Sequence, residues 1–276
     1  MLVKTFVTAL FFLIFALPFS ASVLQQVENP RSAALGGCYV MLPDNMYAHA
    51  NQASISSVLS PTLAVSYQNR FVVKELSLLS ARFSMPTKWM NVGVSYSFFG
   101  FSLYHEMKTG VHVSKSLSPQ FSLGAQVDYV SVYLSPEDGT TGTFVPQIGM
   151  QIKASPSLTI GAHVHNFTFS KLGTAYHHEY LSTYLSAGLG YLIDKKLLVT
   201  TQFSKPLREE VILCGGIDYK LMPELILRTG FRSQQYVQPT FGIGLNVDLF
   251  QVDLGFQFHP LLGMTLSSGV VYVFGK

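Results

Sequence analysis

Regular alternation of apolar and polar residues is the feature that most constrains the fold of this chain. From Thr62 to the C-terminus, segment after segment has an apolar residue at every second position, as in 249–259, where Val252 and Leu254 flank Asp253. This is the period of a β-strand with one apolar and one polar face. The segments are about 10–13 residues long, which matches the roughly 9–11 residues of a strand that crosses a bilayer better than the 5–6 residues of globular strands. The alternation therefore favours a membrane barrel over a soluble sandwich.

The composition excludes several other classes of protein. Hydrophobic residues make up 48% of the 276 residues and charged residues only 12%, whereas soluble domains carry about 25% charged residues. Beyond residue 20, no apolar run approaches the roughly 18–20 residues of a membrane-spanning helix. The net charge is only +3 and the basic residues are scattered, so nucleic acid is not an expected partner. Outer-membrane lipid is the expected environment.

The spacing of the segments predicts about fourteen strands, an even number that is typical of single-chain bacterial barrels. Short turns, often with proline, follow the even-numbered strands, as at 85–88 and 221–224. The longest connections, 135–143 and 170–179, follow odd-numbered strands. Outer-membrane barrels have short periplasmic turns and longer outer loops. We therefore predict an all-β fold, a transmembrane antiparallel β-barrel of about 14 strands over residues 60–276, with both termini in the periplasm.

The first residues have the pattern of a secretory signal peptide. Lys4 provides a positive charge, residues 6–19 form an apolar core, and residues 20–22 are small, as a cleavage position requires. An N-terminal membrane anchor is the alternative, but the run is short and contains a proline. We predict that residues 1–22 are removed and that the mature protein is located in the outer membrane of a Gram-negative-type bacterium.

Residues 29–57 do not alternate and carry a different pattern. An arginine is followed by small residues, a Gly-Gly pair, a short apolar stretch, an Asp and then Asn-Gln-Ala; the matching positions are Arg31, Gly36, Gly37, Asp44, Asn51 and Ala53. This order resembles the opening of the PorV/PorQ-type outer-membrane proteins, relatives of the FadL-type fatty-acid transporter barrels, which have Asn-Pro-Ala at the end. Gln52 stands in place of the family's proline, and Cys38 in place of a usual alanine. The resemblance implies that residues 23–59 form an N-terminal hatch inside the barrel.

The same resemblance implies three alternatives for function. A PorV/PorQ-like barrel is a non-enzymatic accessory to type IX secretion or to surface attachment, and its partners are secretion-system or surface proteins. A FadL-like barrel is a hatch-gated passive carrier of small hydrophobic molecules. A structural barrel without a transport role is the third alternative.

Polar residues on the predicted inner faces bear on this choice. They either line a water-filled path or pair with hatch residues such as Arg31 and Asp44. A carrier of hydrophobic molecules needs an apolar path, so a largely polar lumen favours the accessory role. The predicted polar set is Asp128, Lys153, His163, His165, Asp218, Arg228, Asp248 and Asp253. Candidates for an apolar pocket near the outer mouth are Phe99, Val130, Val132 and Phe167.

Two further expectations follow from the faces of the strands. Most glycines within the strands fall on the polar face, for example Gly149 and Gly161. Such glycines either mark the close approach of another backbone or permit barrel curvature, and the sequence leaves both interpretations open. An inner position such as Asp253 is expected to tolerate substitution better than a lipid-facing position such as Leu254.

The sequence contains no recognisable catalytic motif. It has no Gly-x-Ser-x-Gly elbow, no His-Glu-x-x-His and no glycine-rich phosphate loop, so no catalytic residue and no cofactor are assigned. His163 and His165 share a strand face, but without a third ligand at an obvious spacing we expect no metal site. The two cysteines, Cys38 and Cys214, either form a disulfide that clamps the hatch to the wall or remain unpaired buried thiols. We favour free thiols, because a disulfide requires Cα atoms about 4.4–6.8 Å apart.

Overall fold

The computed structural model describes residues 28–135, 139–173 and 178–275. The predicted signal peptide and the first residues of the predicted hatch lie outside the described residues. Fourteen of the described strands form a closed barrel, and two short strands form a separate two-stranded sheet. The strands are β1 (Thr62–Asn69), β2 (Ser77–Pro86), β3 (Asn91–Gly100), β4 (His105–Ser116), β5 (Phe121–Ser135), β6 (Gly139–Lys153), β7 (Leu158–His165), β8 (Lys171–Gly173), β9 (His178–Tyr180), β10 (Tyr184–Ile193), β11 (Leu197–Pro206), β12 (Ile212–Lys220), β13 (Leu225–Ser233), β14 (Val237–Val247), β15 (Phe250–His259) and β16 (Gly263–Val273).

The barrel closes where the first strand pairs with the last. The register of β1 and β16 runs from Thr62 opposite Val273 to Asn69 opposite Leu266, and each neighbouring pair around the barrel is likewise antiparallel. Closure leaves no sheet edge, which is the condition for strands to cross a bilayer without unsatisfied backbone groups. The predicted fold class, an antiparallel β-barrel of fourteen strands, is confirmed.

The apolar faces of the strands form the outer surface of the barrel. On β14, for example, Phe241, Ile243 and Leu245 are exposed, whereas Thr240 between β13 and β15 is buried. Aromatic pairs lie toward both ends of the strands, and such rings are typical of the two membrane–water interfaces. They include Phe83 with Phe274 and Tyr272 with Phe274 at one end, and Tyr129 with Phe144 and Phe241 with Phe258 toward the other. Among the described residues, no helix is long and apolar enough to cross a membrane.

The two ends of the barrel differ in their connections. One end, here called the short-turn end, has the turns 87–90, 117–120, 154–157, 194–196, 221–224 and 248–249. The other, the long-loop end, has the connections 70–76, 101–104, 166–183, 207–211, 234–236 and 260–262. The connection 166–183 includes β8 and β9 and is the longest, in line with the predicted asymmetry.

One predicted connection is wrong. The sequence predicted a loop over 135–143 and a sixth strand from residue 144, but β6 begins at Gly139. Thr140 pairs with Tyr133, and Thr143 pairs with Val130, so the ladder with β5 continues through these residues. Threonine favours strands, and three of residues 139–143 are threonines. This polar segment therefore extends the pairing of β5 with β6 instead of forming a loop.

The N-terminal segment lies against the inner faces of the strands. Residues 28–59, here called the plug, include helix α1 (Pro30–Ala34) and a 3₁₀-helix (Gln52–Ser57). Helix α1 packs on β13 to β16, and the 3₁₀-helix packs on β4 to β6, on the opposite side of the barrel. The chain leaves the lumen at the short-turn end, where the Asn91 side chain donates hydrogen bonds to the carbonyl oxygens of Ile55 and Val58 at 2.6 and 3.0 Å.

Candidate functional site

The plug backbone lies on a band of glycines in the wall. A side chain at Gly161 would overlap the carbonyl oxygen of Val40, and one at Gly149 would overlap the side chain of Asn51. Gly161 therefore marks the close approach of a second backbone, one of the two interpretations that the sequence left open, and Gly149 makes room for a plug side chain. Gly124, Gly216 and Gly255 likewise face the backbone of Gln52, Leu35 and Pro30, whereas Gly242 faces the side chain of Ala34. By contrast, Gly93, Gly110 and Gly244 face side chains of the wall.

Asn51 connects two parts of the plug with the wall. Its side-chain oxygen accepts a hydrogen bond from the backbone N–H of Ala53 at 3.1 Å and so caps the 3₁₀-helix. Its side-chain nitrogen lies 2.7 Å from the carbonyl oxygen of Val40, and 3.1 and 3.2 Å from those of Met150 on β6 and Ala162 on β7. Asn51 is fully buried. An asparagine at this position of the motif thus satisfies backbone groups of the plug and of two strands at once.

Gln52, which replaces the proline of the resembled family, donates to the wall. Its amide nitrogen lies 3.1 Å from Oε1 of Gln147 and 3.3 Å from Oε1 of Gln126. The amide nitrogens of these two wall residues in turn donate to the Asp128 carboxylate. A proline could not make these contacts, because it has no side-chain donor. The departure from the family pattern is therefore matched by polar residues on β5 and β6.

The two histidines of β7 have partners within the protein. The hydroxyl of Tyr39 lies 2.8 Å from Nδ1 of His163, and Nε2 of His163 lies 3.2 Å from Oε1 of Gln147. His165 stacks on Tyr184 with ring centroids 4.7 Å apart and donates from Nδ1 to a backbone carbonyl. Within the described parts of the chain, no group of three or more His, Cys, Asp or Glu residues is placed to hold a metal ion. The histidines hold the plug and shape the wall.

A buried network of charged side chains connects the plug with β12, β13 and β15, on the opposite side of the lumen from β5 and β6. Arg228 lies between two carboxylates, 3.0 Å from Asp218 and 2.5 Å from Asp253. From the plug, the Tyr47 hydroxyl donates to Asp253 at 2.8 Å, and the Arg31 guanidinium lies 3.5 Å from Asp218. Two positive charges thus meet two negative ones, which is the condition for charges to remain buried at tolerable cost. A separate ion pair joins Glu28 to Arg232 near the start of the plug.

Three residues that the sequence placed in the lumen or in hatch–wall pairs do not take part in these contacts. Lys153 is exposed at the end of β6. Asp248 lies in the turn after β14 with φ 51°, so it does not face the lumen as the alternation predicted. The left-handed backbone of this turn ends the alternation. Asp44 of the plug is exposed and accepts a hydrogen bond from Ser57, while Arg31 alone provides the predicted pairing between hatch and wall.

The inner face of the wall near the long-loop end carries a group of buried apolar side chains, beside the buried Glu106, which is registered with Phe99 and Val132. We call this region the upper apolar cluster; it comprises Leu78, Phe99, Val130, Val132, Val145, Leu172 and Leu181, with Tyr104 packed against both of its halves. The sequence predicted the places of Phe99, Val130 and Val132, but Phe167 is 46% exposed and lies outside the cluster. Leu172 and Leu181 were missed, because they come from the connection 166–183, where no alternation indicates which side chains turn inward.

The cysteines belong to a third region of contact, in which Leu35, Val40 and Met41 of the plug pack on the wall. Cys38 and Cys214 are both buried and unbonded, and both belong to this one cluster of buried side chains. Gln202, which is registered opposite Cys214, binds the backbone on both sides of Cys38. The two cysteines of the disulfide that the sequence left open therefore lie next to each other, although they are not bonded.

We expect two free thiols per chain in protein purified without oxidant, and none after oxidation with copper phenanthroline. The reason is that Cys38 and Cys214 are neighbours in the buried cluster. Thiol labelling of the unfolded protein measures both states. The variant Cys38→Ser, with one thiol before and after treatment, is the control. Two thiols that remain labelled after oxidation would show that the residues are not adjacent.

Solved structures with the same barrel are known, although no family model and no curated protein sequence matches the chain. The toluene transporter TodX of Pseudomonas putida aligns with a TM-score of 0.69 at 12% identity over 90% of this chain and 98% of its own. A FadL homologue of Pseudomonas aeruginosa aligns at 0.67 and 12%, over 91% and 99%. The monoaromatic hydrocarbon channel CymD aligns at 0.61 and 11%, over 90% and 98%. The chain thus has the fold of FadL-type barrels.

Proposed function

We propose that this protein is a passive, non-enzymatic carrier of small hydrophobic molecules in the outer membrane, and that the plug is its hatch. In this arrangement the long-loop end faces the outside and both termini lie in the periplasm. The proposal is supported by the fold shared with the toluene transporter TodX and the monoaromatic hydrocarbon channel CymD. It is also supported by an outer surface of exposed apolar residues, which suits a lipid environment.

The observation that carries the proposal is the upper apolar cluster. Val130, Val132 and Val145 line the wall there, and Leu172 and Leu181 pack on them from the connection 166–183. Binding sites for small molecules are mostly apolar. A hydrophobic molecule that replaces the contacts of the two leucines would not have to displace polar partners. The cluster lies at the end of the lumen where a molecule from outside would enter.

The sequence favoured a PorV/PorQ-like accessory role because the predicted lumen is polar. In the structure, however, most of the predicted polar residues contact the plug or each other, so they do not form a polar path through the lumen. His163 pairs with Tyr39, Asp253 with Tyr47, and Asp218 with Arg31. These groups hold the plug and do not line the upper lumen. The upper apolar cluster lies apart from these plug contacts, and this favours the carrier.

A carrier of this kind requires a gate, and the plug contacts suit one. The contacts of the plug on this side include an ion pair of Arg31 with Asp218 of β12 and a hydrogen bond of Tyr47 with Asp253 of β15. Polar contacts of this kind exchange readily with water once a segment begins to move, because water satisfies the same groups. We therefore place the conformational change of transport in the plug and not in the closed wall.

Replacing Val132 by Asn should reduce uptake of toluene about tenfold or more. Removing an amide from water when a hydrocarbon binds against it costs about 1–3 kcal/mol, and each 1.4 kcal/mol is roughly tenfold in affinity. The measurement is uptake of radiolabelled toluene by cells of a Gram-negative host that express the protein, at equal levels of folded barrel. Val132→Ile, which keeps the site apolar, is the matched control and should retain uptake.

Uptake that stays equal in Val132→Asn, Val132→Ile and wild type would contradict the carrier. If none of the three raises uptake above cells without the protein, the carrier is also contradicted for this class of molecule. In that case, co-purification of secretion-system or surface proteins with the wild-type barrel would support the accessory role.

A further inference from the structure

Arg82 is a buried cation of the wall that the plug contacts do not use. It lies on the inner face of β2 and is 1% exposed. Its Nη2 donates one hydrogen bond, to Oε1 of Gln126 at 3.1 Å. In the described part of the chain, its Nε and Nη1 atoms have no hydrogen-bond partner. A buried guanidinium normally has its donors satisfied, because each unmet one carries a desolvation cost.

The charges around Arg82 do not balance. Asp128 is the neighbouring carboxylate, but it is already shared with Lys108 at 3.6 Å and accepts hydrogen bonds from two glutamines. Among the residues that the structure describes, Arg82 and Lys108 together therefore have one negative partner. The next charges toward the long-loop end, Arg70 and Glu106, are of opposite sign and act on each other. This contrasts with the balanced network around Arg228, and it leaves one positive charge over.

The residues around Arg82 are small and carry hydroxyl groups. Ala64 on β1 and Ser95 on β3 are registered with it, and Ser80 and Ser84 flank it on its own strand. Ser95 accepts a hydrogen bond from an amide at 3.4 Å, so its own proton remains available. Further small inner residues next to these are Ser66, Gly93 and Ser97. His112 of β4 fills the space over Gly93 and lies 3.1 Å from the Ser84 hydroxyl, so the small side chains next to Arg82 are those of Ala64, Ser80 and Ser95.

His49 of the plug faces the same region. Its Nε2 lies 3.2 Å from the Ser80 hydroxyl and 2.9 Å from the Ser97 hydroxyl. Burial, followed by the charges of Lys108 and Arg82, lowers the pKa of His49 well below its usual range. The imidazole is therefore neutral at pH 7 and adds no charge to the region.

We propose that a small monovalent anion, such as chloride or a carboxylate, binds beside Arg82 between the plug and the inner faces of β1 to β3. The anion supplies the missing negative charge and accepts from the free guanidinium N–H groups and from the Ser95 hydroxyl. A buried charge costs far less when it is paired and hydrogen-bonded. Because the anion contacts both plug and wall, its presence stabilises the closed barrel.

The test measures thermal unfolding of the purified full-length protein in detergent by heat-modifiable gel mobility. Chloride replaces bulky gluconate at constant ionic strength. Wild type should show a saturable rise in midpoint on the order of 2–4 °C or more, and Arg82→Gln should show none. Lys153→Gln removes an exposed cation elsewhere in the barrel and should respond like wild type. Ser95→Val keeps the charge of Arg82 but removes a donor, so it should need several-fold more chloride.

Formate and benzoate distinguish the sources of the anion. Equal responses to formate and chloride would assign a free anion, and a much tighter response to benzoate would assign the carboxyl group of a carried acid; both outcomes support the site. Equal chloride responses in wild type and Arg82→Gln, or no response in either, would overturn it and leave water as the occupant. Because no uptake is measured, the result is independent of the proposed carrier function.

Discussion

Replacing Asp253 by Asn should lower the free energy of unfolding by about 3–5 kcal/mol, because it removes one partner of a buried ion pair. Asp253 is fully buried and accepts hydrogen bonds from Arg228, Tyr47 and Gln251. Asparagine carries no charge to pair with Arg228 and keeps only one acceptor oxygen, so either Arg228 or the Tyr47 hydroxyl of the plug loses its acceptor and meets an amide N–H. Urea unfolding of the barrel in lipid vesicles measures the change.

The matched control is Asp248→Asn, since Asp248 is exposed in the turn after β14 and an asparagine tolerates its left-handed backbone. We expect a change within about 0.5 kcal/mol there. The sequence alone predicted that substitution of Asp253 is milder than that of lipid-facing Leu254, because inner positions of a barrel usually tolerate change better. If Asp253→Asn proves as mild as Asp248→Asn, the buried network does not hold the plug and that sequence-based expectation is correct.

Replacing Leu254 by Arg should cost about 2–4 kcal/mol if the position lies near the bilayer midplane. Leu254 is the neighbour of Asp253 on β15, but it points outward and is registered with Ile243 of β14. An arginine at this position would place its charge in lipid. Unfolding in lipid vesicles again measures the change.

Leu261→Arg is the control for this substitution, since Leu261 is 71% exposed in the connection 260–262. The same charge there should change the stability little, because it remains in water. Equal effects at Leu254 and Leu261 would contradict the assignment of the outer face of β15 to lipid.

The sequence predicts the wall well because a strand has a strict period of two. Once Val252 and Leu254 are placed outside, Asp253 must face the lumen, and the same rule places the remaining strands. The rule fails where the backbone leaves the strand conformation. Asp248 is such a position, and so is the connection that contributes Leu172 and Leu181 to the upper apolar cluster.

The contacts of the plug are less accessible from sequence. The pairs Tyr39 with His163 and Tyr47 with Asp253 join residues 124 and 206 positions apart, and no period relates an irregular segment to the depth of a strand. The band of glycines was the available signal, because Gly149 and others fall on the inner face. It indicated that something lies close to the wall, but not which part of the plug.

The unbalanced positive charge at Arg82 could not be predicted from the sequence either. Ser80, Arg82 and Ser84 alternate on an ordinary strand, and such a residue reads as one of many polar inner positions. Only the register of β1 to β5 shows that Asp128 is already shared with Lys108. The same reasoning applies to the cysteines, whose adjacency depends on how deep the plug sits in the barrel.

The central claim is that residues 28–59 are a folded plug held by the inner wall. Hydrogen exchange with mass spectrometry, on the folded protein in lipid discs, tests it most directly. The backbone N–H of Val40 bonds to Gln202 at 3.1 Å, and that of Ala53 bonds to Asn51. Peptides over these residues should therefore exchange nearly as slowly as the strands. Complete exchange of residues 28–59 within seconds, with the strands still protected, would contradict the account.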